Sequence, residues 1–524
     1  MQGSIHDVGK LWRVRWRTLV GGALLLCMAT GGCTGDDEKI NSEKKPAPAV
    51  QPSALSNTPP RETSELLFDR SRSTTTDTNV RLSLDDTNTR TDEPARSAEP
   101  ARQQIFRPSD QRVQHDPTRL AQIGIRQTVS PRLVLVSDID PGGALPLHSL
   151  IDQVYDAWVD YFGPLPPNRE GTEFQITGHI FADRGRFESA GLLPLDLPMI
   201  EFGRHRGAEF WMHDQEADYY RRHLTIHEAT HCFMTIMPGL HPPLWYLEGM
   251  AEYFGTHRVE SDGTVSFGVF PDSPQNFRSH GRIEIIQQEV AAGSPLTLQQ
   301  VGLLNDADFA RSRSVPYAWS WAVCMFLDSH PRYRDRFRKL AEHLEGRAFA
   351  RELAQTFVED RPLLAAEWDE FVRRIDYGYP IDANVFVVEG EVSELDGERT
   401  VEVDAARSWQ SSGIHVNAGD QIEIEADGTV TLNETTEPWV SEPQGISIEY
   451  AAGNPIGRLL VGVVPDDDNR ARSGARTFQP VAVDRHLVLP IDEAGTLFFR
   501  VNDHGTGLAD NEGTYSVTVR QTAR

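Results

Sequence analysis

Cysteine is scarce in this sequence, which has 4 cysteines among 524 residues. So few cysteines do not form a disulfide framework in a chain of this length. Cys27 and Cys33 lie near the start of the chain. Cys232 and Cys324 lie in apolar segments with helical spacing, so we expect buried free thiols there rather than catalytic ones. A small disulfide-stabilised scaffold is therefore excluded.

Positive charge is also in deficit, because the formal net charge is -26 at pH 7. This excess of acid argues against nucleic acid as a partner, since that binding depends on neutralising phosphates with Lys and Arg. From Val385 onward, 24 Asp and Glu residues stand against 10 Arg and no Lys. Such a stretch indicates either a solvated acidic surface or clustered cation sites.

Long apolar runs are missing, and the run from Thr18 to Met28 is too short for a spanning helix. Basic residues precede it, and the small residues of Ala29-Thr30-Gly31-Gly32-Cys33 follow it. This order is typical of an export signal. It resembles the lipobox of bacterial lipoproteins, although Thr30 stands where Leu is commoner. The resemblance implies a signal over residues 1–33, lipid on Cys33, and a place in the cell envelope, anchored to a membrane on the periplasmic side or the cell surface. Ordinary secretion and a cytoplasmic leader are the alternatives.

Composition divides the rest of the chain into three parts. Residues 34–126 are poor in apolar side chains and predict a disordered tether. Residues 127–382 show short strand patterns, including an edge strand over Glu209–His213, followed by helices, which predicts an α+β domain with a small sheet. Residues 383–524 show short alternating runs between Gly, Asn and Asp turns, which predicts an all-β sandwich. The fold class is therefore multidomain.

One short motif carries most of the functional prediction. Its residues are His227-Glu228-Ala229-Thr230-His231. On a helix, the two histidines are one turn apart and point the same way. Two imidazoles on one face are suited to Zn²⁺, and the glutamate beside the first is suited to take a proton from water as a general base.

The third ligand is expected from a second helix. We predict the motif helix over Tyr219–Met237 and a new helix from Pro243, because proline suits a first helical turn. This hairpin would bring Glu248 back to the two histidines. Glu252 follows one turn later. A carboxylate at this position is suited to orient a ligand imidazole, and a solvated surface charge is the alternative.

The motif and the segment Trp245–Phe254 together resemble the gluzincin peptidases, whose HExxH helix is followed by a helix with Glu-Gly-x-Ala. The similarity is greatest to a bacterial peptidase MA-like group and covers about Arg132–Ile375. It implies a zincin-like fold and a peptide or protein substrate. The zinc ligands it implies are His227, His231 and Glu248, with Glu228 as the general base.

A later segment, Tyr317–Ala322, resembles the Tyr-Ala-x-Ser-Trp stretch of the same group. Gluzincins often stabilise the oxyanion with a Tyr or His from a later helix. The resemblance therefore implies a catalytic role for Tyr317. A tyrosine that only packs at a helix N-terminus is the alternative.

The stretch from Val501 to Val517 concentrates carboxylates and amides in one loop. Ordinary turn chemistry explains it, and so do oxygen ligands for Ca²⁺. With the segment from Arg407, it resembles the PA-I type galactophilic lectins, which are calcium-containing β-sandwiches. The resemblance implies calcium ligands at Asp503, Asp510 and Asn511, with carbohydrate as a partner. No counterpart of the sugar-contacting His and Gln loop of those lectins is found.

Two functions from different classes follow. The first is an extracytoplasmic zinc metallopeptidase that uses Glu228 as its general base. The second is a non-enzymatic, surface-anchored protein that binds glycan or wall polymer, with a vestigial metal site. The intact Glu228 favours the first, because a degenerate site is expected to lose its base before its shape.

Overall fold

Helices and strands form two lobes in the computed structural model, which describes residues 105–195, 202–312, 314–343, 346–433, 437–467, 469–472 and 475–522. The predicted signal, its Cys33 and most of the predicted tether lie outside these residues. The described part mixes helices with several sheets, consistent with a multidomain α+β protein. Among the described residues, no helix has the length and apolar content needed to cross a bilayer.

The first lobe holds most of the helices. They are α1 (Pro117–Gln122), α2 (Pro141–Ala144), α3 (Pro146–Phe162), α4 (Arg184–Ser189), α5 (Asp218–Thr235), α6 (Leu244–Gly255), α7 (Arg282–Ala291), α8 (Leu298–Gly302), α9 (Asp306–Arg311), α10 (Val315–Ser329), α11 (Arg334–Lys339), α12 (Gly346–Thr356) and α13 (Arg361–Arg374), with 3-10 turns at Leu340–His343 and Asp382–Asn384. Its strands are β1 (Arg126–Val129), β2 (Leu133–Ser137), β3 (Ile176–Phe181), β4 (Gly203–Arg206), β5 (Glu209–His213), β6 (His257–Val259) and β7 (Val265–Phe267).

The main sheet of this lobe has the order β1-β2-β3-β5-β4. Strands β2, β3 and β5 run parallel, while β1 and β4 pair antiparallel at the two edges. Every residue of β3 is buried, as expected for a strand covered on both faces. The strands and helices that the sequence predicts within residues 127–382 are present, as β2 and α3 show.

Two sequence expectations for this region need correction. Glu209–His213 is not an edge strand, because β5 lies between β3 and β4 and its first four residues are buried. The edge is β4, whose polar residues gave no strand pattern. The tether was expected to reach residue 126, but Leu120 and Ile125 are buried in a small apolar cluster. Packed structure therefore begins before the expected boundary.

The second lobe consists of two sheets in which most neighbouring strands are antiparallel. Its elements are β8 (Ser393–Glu394), β9 (Glu398–Asp404), β10 (Gln410–Val416), β11 (Gln421–Thr431), β12 (Val440–Ser441), β13 (Gln444–Ala451), β14 (Asn454–Pro465), α14 (Asn469–Arg472), β15 (Val481–Ala482), β16 (His486–Pro490), β17 (Gly495–Val501) and β18 (Glu512–Gln521). One sheet has the order β13-β14-β17-β10-β8 with β15 beside β14, and the other β12-β11-β18-β9 with β16 beside β11. Inward-facing apolar residues of the strands form one core, as in a β-sandwich.

The two lobes belong to one compact unit of the chain. A shared apolar cluster joins them, and its buried members are Ala366, Phe386, Trp409, Leu460, Val464, Phe478 and Phe498. Charged groups are buried beside it. Arg374 of α13 donates hydrogen bonds to the Asp503 carbonyl and to Asn502 Oδ1, both at 2.8 Å. Glu370 pairs with Arg374, and its carboxylate lies 3.6 Å from Arg500 Nη1.

Candidate metal centre and cleft

The motif helix α5 runs through the interior of the first lobe. Residues 223–234 are all buried, so this part of the helix is enclosed on every side rather than amphipathic. Trp158 Nε1 of α3 donates a hydrogen bond of 3.1 Å to Thr230 Oγ1, inside the motif. The two helices are thereby fixed at the point where the histidines project.

Helix α6 returns along α5, as the two prolines before it predict. Pro243 occupies the N-cap of α6, and Glu248 lies one turn into the helix. Gly249 allows α6 to approach α10 closely. A Cβ atom at this position would lie 2.6 Å from Cys324 Sγ and 2.6 Å from the Ser320 carbonyl oxygen. The glycine after Glu248 is therefore a packing requirement.

The structure brings together the three side chains that the sequence proposes as metal ligands. His231 Nε2 lies 3.1 Å from His227 Nε2 and 3.1 Å from Glu248 Oε2. His227 Nε2 lies 3.4 Å from the same carboxylate oxygen. Tetrahedral zinc with ligands at 2.0–2.1 Å needs ligand atoms about 3.4 Å apart. The residues present therefore fit a zinc ion, by spacing and by donor type.

Glu252 lies behind His227 and is itself held by Arg282. Its Oε1 is 3.4 Å from His227 Nδ1 and accepts a hydrogen bond of 2.7 Å from Arg282 Nη2. Its Oε2 accepts a second one of 3.0 Å from Arg282 Nε and lies 3.2 Å from His223 Nε2. Glu252 is 2% exposed, which rules out a solvated surface charge. A second set of potential metal ligands is formed by His223, His227 and Glu252, whose ligand atoms lie close together. Arg282, however, already neutralises the Glu252 carboxylate.

Burial and the surrounding carboxylates set opposing pKa shifts in this cluster. Burial alone would lower the pKa of His227, but Glu248, Glu252 and Glu228 raise it to about 9. Burial prevails at His231, whose pKa is lowered because His205 and His227 also lie beside it. The two imidazoles hold the pKa of Glu248 well below its usual range despite burial. The surrounding carboxylates therefore favour the protonated form of His227, and the two imidazoles favour the ionised form of Glu248.

Glu228 faces the edge strand β4 across the mouth of the site. A Cβ atom at Gly203 would overlap the Glu228 carboxylate, so the glycine lets the strand lie against it. His205, on the same strand, stacks on His231 with ring centroids 4.5 Å apart. Its Nδ1 is 3.7 Å from Glu228 Oε2.

Tyr317 lies in the first turn of α10, and its ring centroid is 6.1 Å from that of His227. Arg282 lies 5.9 Å from the same tyrosine ring. Burial, with the nearby carboxylates Glu248, Glu228 and Glu252, raises the pKa of Tyr317. The hydroxyl therefore keeps its proton and is available as a hydrogen-bond donor.

One cleft of about 400 Å³ is lined by His227, Glu228, Glu248, Glu252, Arg282 and Tyr317. Phe202, Gly203 and Arg204 form one wall, and Phe309 and Tyr317 lie among the residues opposite the motif. Sequence reasoning missed two residues of this site. His205 lies in a short polar strand with no local signal, and Arg282 lies 30 residues beyond Glu252. A buried glutamate demands a cation, but the sequence does not say which one.

The expected calcium residues of the second lobe converge only in part. Asp503 and Asn511 are both 4% exposed, whereas Asp510 is exposed. Asp503 Oδ1 accepts a hydrogen bond of 2.6 Å from the His504 backbone N–H. Asn511 Oδ1 is buried without a hydrogen-bond partner. A buried carboxylate and a buried amide oxygen that lacks a hydrogen-bond partner suit a cation that prefers oxygen ligands, such as Ca²⁺.

Comparisons with known proteins leave the family open. No family profile and no curated protein matches the chain. Among solved structures, the chain is similar to the EclA N-terminal domain, which is described as a PllA-like lectin. The match has 21% sequence identity and a TM-score of 0.19, and it covers 24% of this chain and 95% of the EclA domain. A TM-score this low carries no argument about fold or ligand. The gluzincin resemblance therefore stays a prediction.

Proposed function

We propose that the chain is an extracytoplasmic, zinc-dependent metallopeptidase that hydrolyses peptide bonds. The observation that supports this most is the convergence of His227 Nε2, His231 Nε2 and Glu248 Oε2 within 3.1–3.4 Å of one another. Glu228 lies beside them at the wall of an open cleft. The proposed place outside the cytoplasm, with a lipid anchor on Cys33, rests on the N-terminal sequence alone.

The protein groups that act in this proposed hydrolysis are Glu228, Tyr317 and Glu252, the last held by Arg282. When bound, zinc supplies a Lewis acid that lowers the pKa of water and polarises the scissile carbonyl. The Glu228 carboxylate accepts a proton from the attacking water and delivers it to the leaving amide nitrogen as the C–N bond breaks. Tyr317 donates a hydrogen bond to the carbonyl oxygen as its charge develops. Glu252, fixed by Arg282, lies 3.4 Å from His227 Nδ1 and keeps that ring oriented through its negative charge.

The edge strand offers a way to hold the substrate. Strand β4 ends the sheet, and its Gly203 and Arg204 line the cleft. An extended peptide adds readily to such an edge through main-chain hydrogen bonds. A peptide laid along β4 would pass Glu228.

The substitution Glu228→Gln tests this function directly. It keeps the size of the side chain but removes the proton acceptor, so hydrolysis should fall about a hundredfold or more while zinc is retained. Cleavage of a mixture of unstructured peptides by the zinc-loaded chain, followed by mass spectrometry, provides the measurement. Glu260→Gln, at an exposed turn, is the matched control and should hydrolyse normally.

A zinc-loaded wild-type chain that cleaves none of these peptides would refute the peptidase. So would a Glu228→Gln chain that is as active as the wild type. Chelation should abolish the wild-type activity, and added zinc should restore it.

A second candidate is a non-enzymatic surface protein that binds carbohydrate, with calcium in its second lobe and a vestigial zinc site. The buried Asp503 carboxylate and the unpartnered Asn511 Oδ1 support the cation. The exposed Asp510 gives no such support. Intact protein that binds zinc, cleaves nothing and retains glycans would favour this second candidate.

A further inference from the structure

A cavity of about 350 Å³ lies between the two lobes. The first lobe contributes α7 and the segment that follows α13. The second lobe contributes the turn between β13 and β14 and the loop after β17. None of its lining residues lines the cleft that holds Glu228. It is therefore a separate site.

Aromatic rings form part of the cavity wall. Tyr450 is 57% exposed although it belongs to a strand, so its ring is open to a ligand. Tyr377 is half-buried, and its hydroxyl donates a hydrogen bond of 2.6 Å to Glu284 Oε1, which fixes the ring. Rings of this kind offer flat apolar faces with polar tips, and such faces pack against the C–H faces of a pyranose ring.

The polar groups of the wall are mixed and balanced. Gln287 Nε2 donates to the Ile375 carbonyl at 2.9 Å, and the Asp376 carboxylate lies within 3.3 Å of the same nitrogen. Arg373 and Arg374 also line the cavity, and both pair with Glu370, so neither guanidinium is left without a carboxylate partner within the protein. Donors and acceptors therefore stand side by side with no unpaired arginine in the wall. This lining suits an uncharged ligand with many hydroxyl groups better than an ion or an acyl chain.

The turn at the rim is strained. Ala452 and Gly453 connect β13 to β14 with φ values of 47° and 80°. A two-residue turn with both φ values positive favours Asn, Asp or Gly at its first position, and alanine adopts that conformation at a cost. Ala452 lines the cavity, where a longer Asn side chain would take up space. Strain of this kind concentrates at binding sites.

We propose that this interlobe cavity binds a neutral saccharide, which stacks on Tyr450 and is held by polar groups of both lobes. The site requires neither hydrolysis at Glu228 nor calcium at Asp503.

Binding to the intact Glu228→Gln chain, which cannot degrade itself, provides the test. The probes are lactose, maltose, cellobiose and N,N′-diacetylchitobiose, measured by calorimetry in excess EDTA. At least one should bind. Tyr450→Ala should weaken it about tenfold or more through loss of the ring face. Gln287→Ala should also weaken it, because the first lobe supplies part of the site.

Ala452→Asn separates binding from folding. Asparagine suits the turn, so the melting temperature should stay the same or rise, while binding falls about tenfold as the cavity fills. Val488→Ala, exposed on a strand of the other sheet, is the control and should bind as before. The proposal fails if no probe binds in excess EDTA, or if any of the three cavity substitutions leaves affinity unchanged. These outcomes do not depend on whether the chain is a peptidase.

Discussion

His179 and His227 are both buried imidazoles, yet their surroundings move their pKa values in opposite directions. Carboxylates surround His227, whereas His179 stacks on Trp211 with centroids 5.1 Å apart and has His115 at its edge. Burial, reinforced by His115, lowers the pKa of His179 to about 3. At the scale of a residue, the neighbours and not the residue type decide the charge. The sequence therefore identifies the histidines but not their protonation.

Acid should destabilise the fold through His179. Its pKa falls from an ordinary 6.5 to about 3 in the folded state, so between these values the unfolded chain binds the proton more tightly. The neutral imidazole contributes fully above pH 6.5, and its contribution is lost as the pH falls. From pH 7 to pH 5 the wild type should lose about 2 kcal/mol more than His179→Phe, which keeps a ring on Trp211.

Urea unfolding at the two pH values measures this difference. His241→Gln, at an exposed histidine of the first lobe, should follow the wild type. Equal pH dependence of the wild type and His179→Phe would show that this buried imidazole does not set the acid sensitivity.

At the scale of elements, the hairpin of α5 and α6 could be predicted because its signals are local. The HExxH spacing needs a helix, and prolines before Leu244 force a new one. The position of β4 could not be predicted, because its residues are polar and it pairs only along one edge. Nor could Arg282 be assigned to Glu252, since that pairing depends on how α7 packs.

The contact between α6 and α10 provides a test at this scale. Gly249→Ala should force the helices apart, because its Cβ would lie 2.6 Å from Cys324 Sγ. We expect a loss of about 1–3 kcal/mol in the free energy of unfolding. Weaker zinc binding should accompany it, since Glu248 is the adjacent residue.

Gly302→Ala is the matched control, because a Cβ at this helical glycine meets nothing within 4 Å. It should leave zinc binding unchanged and stability equal or higher by up to about 1 kcal/mol. If the two alanine substitutions behaved alike, close packing at Gly249 would not position Glu248.

At the scale of the whole molecule, the change of sequence texture near residue 383 predicted a second, strand-rich part, and the strands lie there. It did not predict how tightly the parts join. Asp369 of α13 accepts backbone hydrogen bonds from Thr477 and Phe478 at 2.6 and 2.9 Å. Such contacts use main-chain groups of distant loops, which no residue pattern marks.

The two lobes also contain two distinct cavities, and we propose a different ligand for each. The cleft beside Glu228 belongs to the first lobe, and the cavity beside Tyr450 is shared by both. A peptidase with a separate saccharide site on the same compact unit would act where protein and glycan occur together. The proposed hydrolysis takes place in the cleft, so the metal of the cleft is the central claim.

Zinc content tests that claim most directly. The purified chain, loaded with zinc and dialysed, should hold about one zinc per chain by mass spectrometry of the metal. Glu228→Gln should hold the same amount, whereas Glu248→Gln and His231→Ala should hold much less. A wild-type chain that binds no more zinc than Glu248→Gln and His231→Ala would contradict the proposed metal centre.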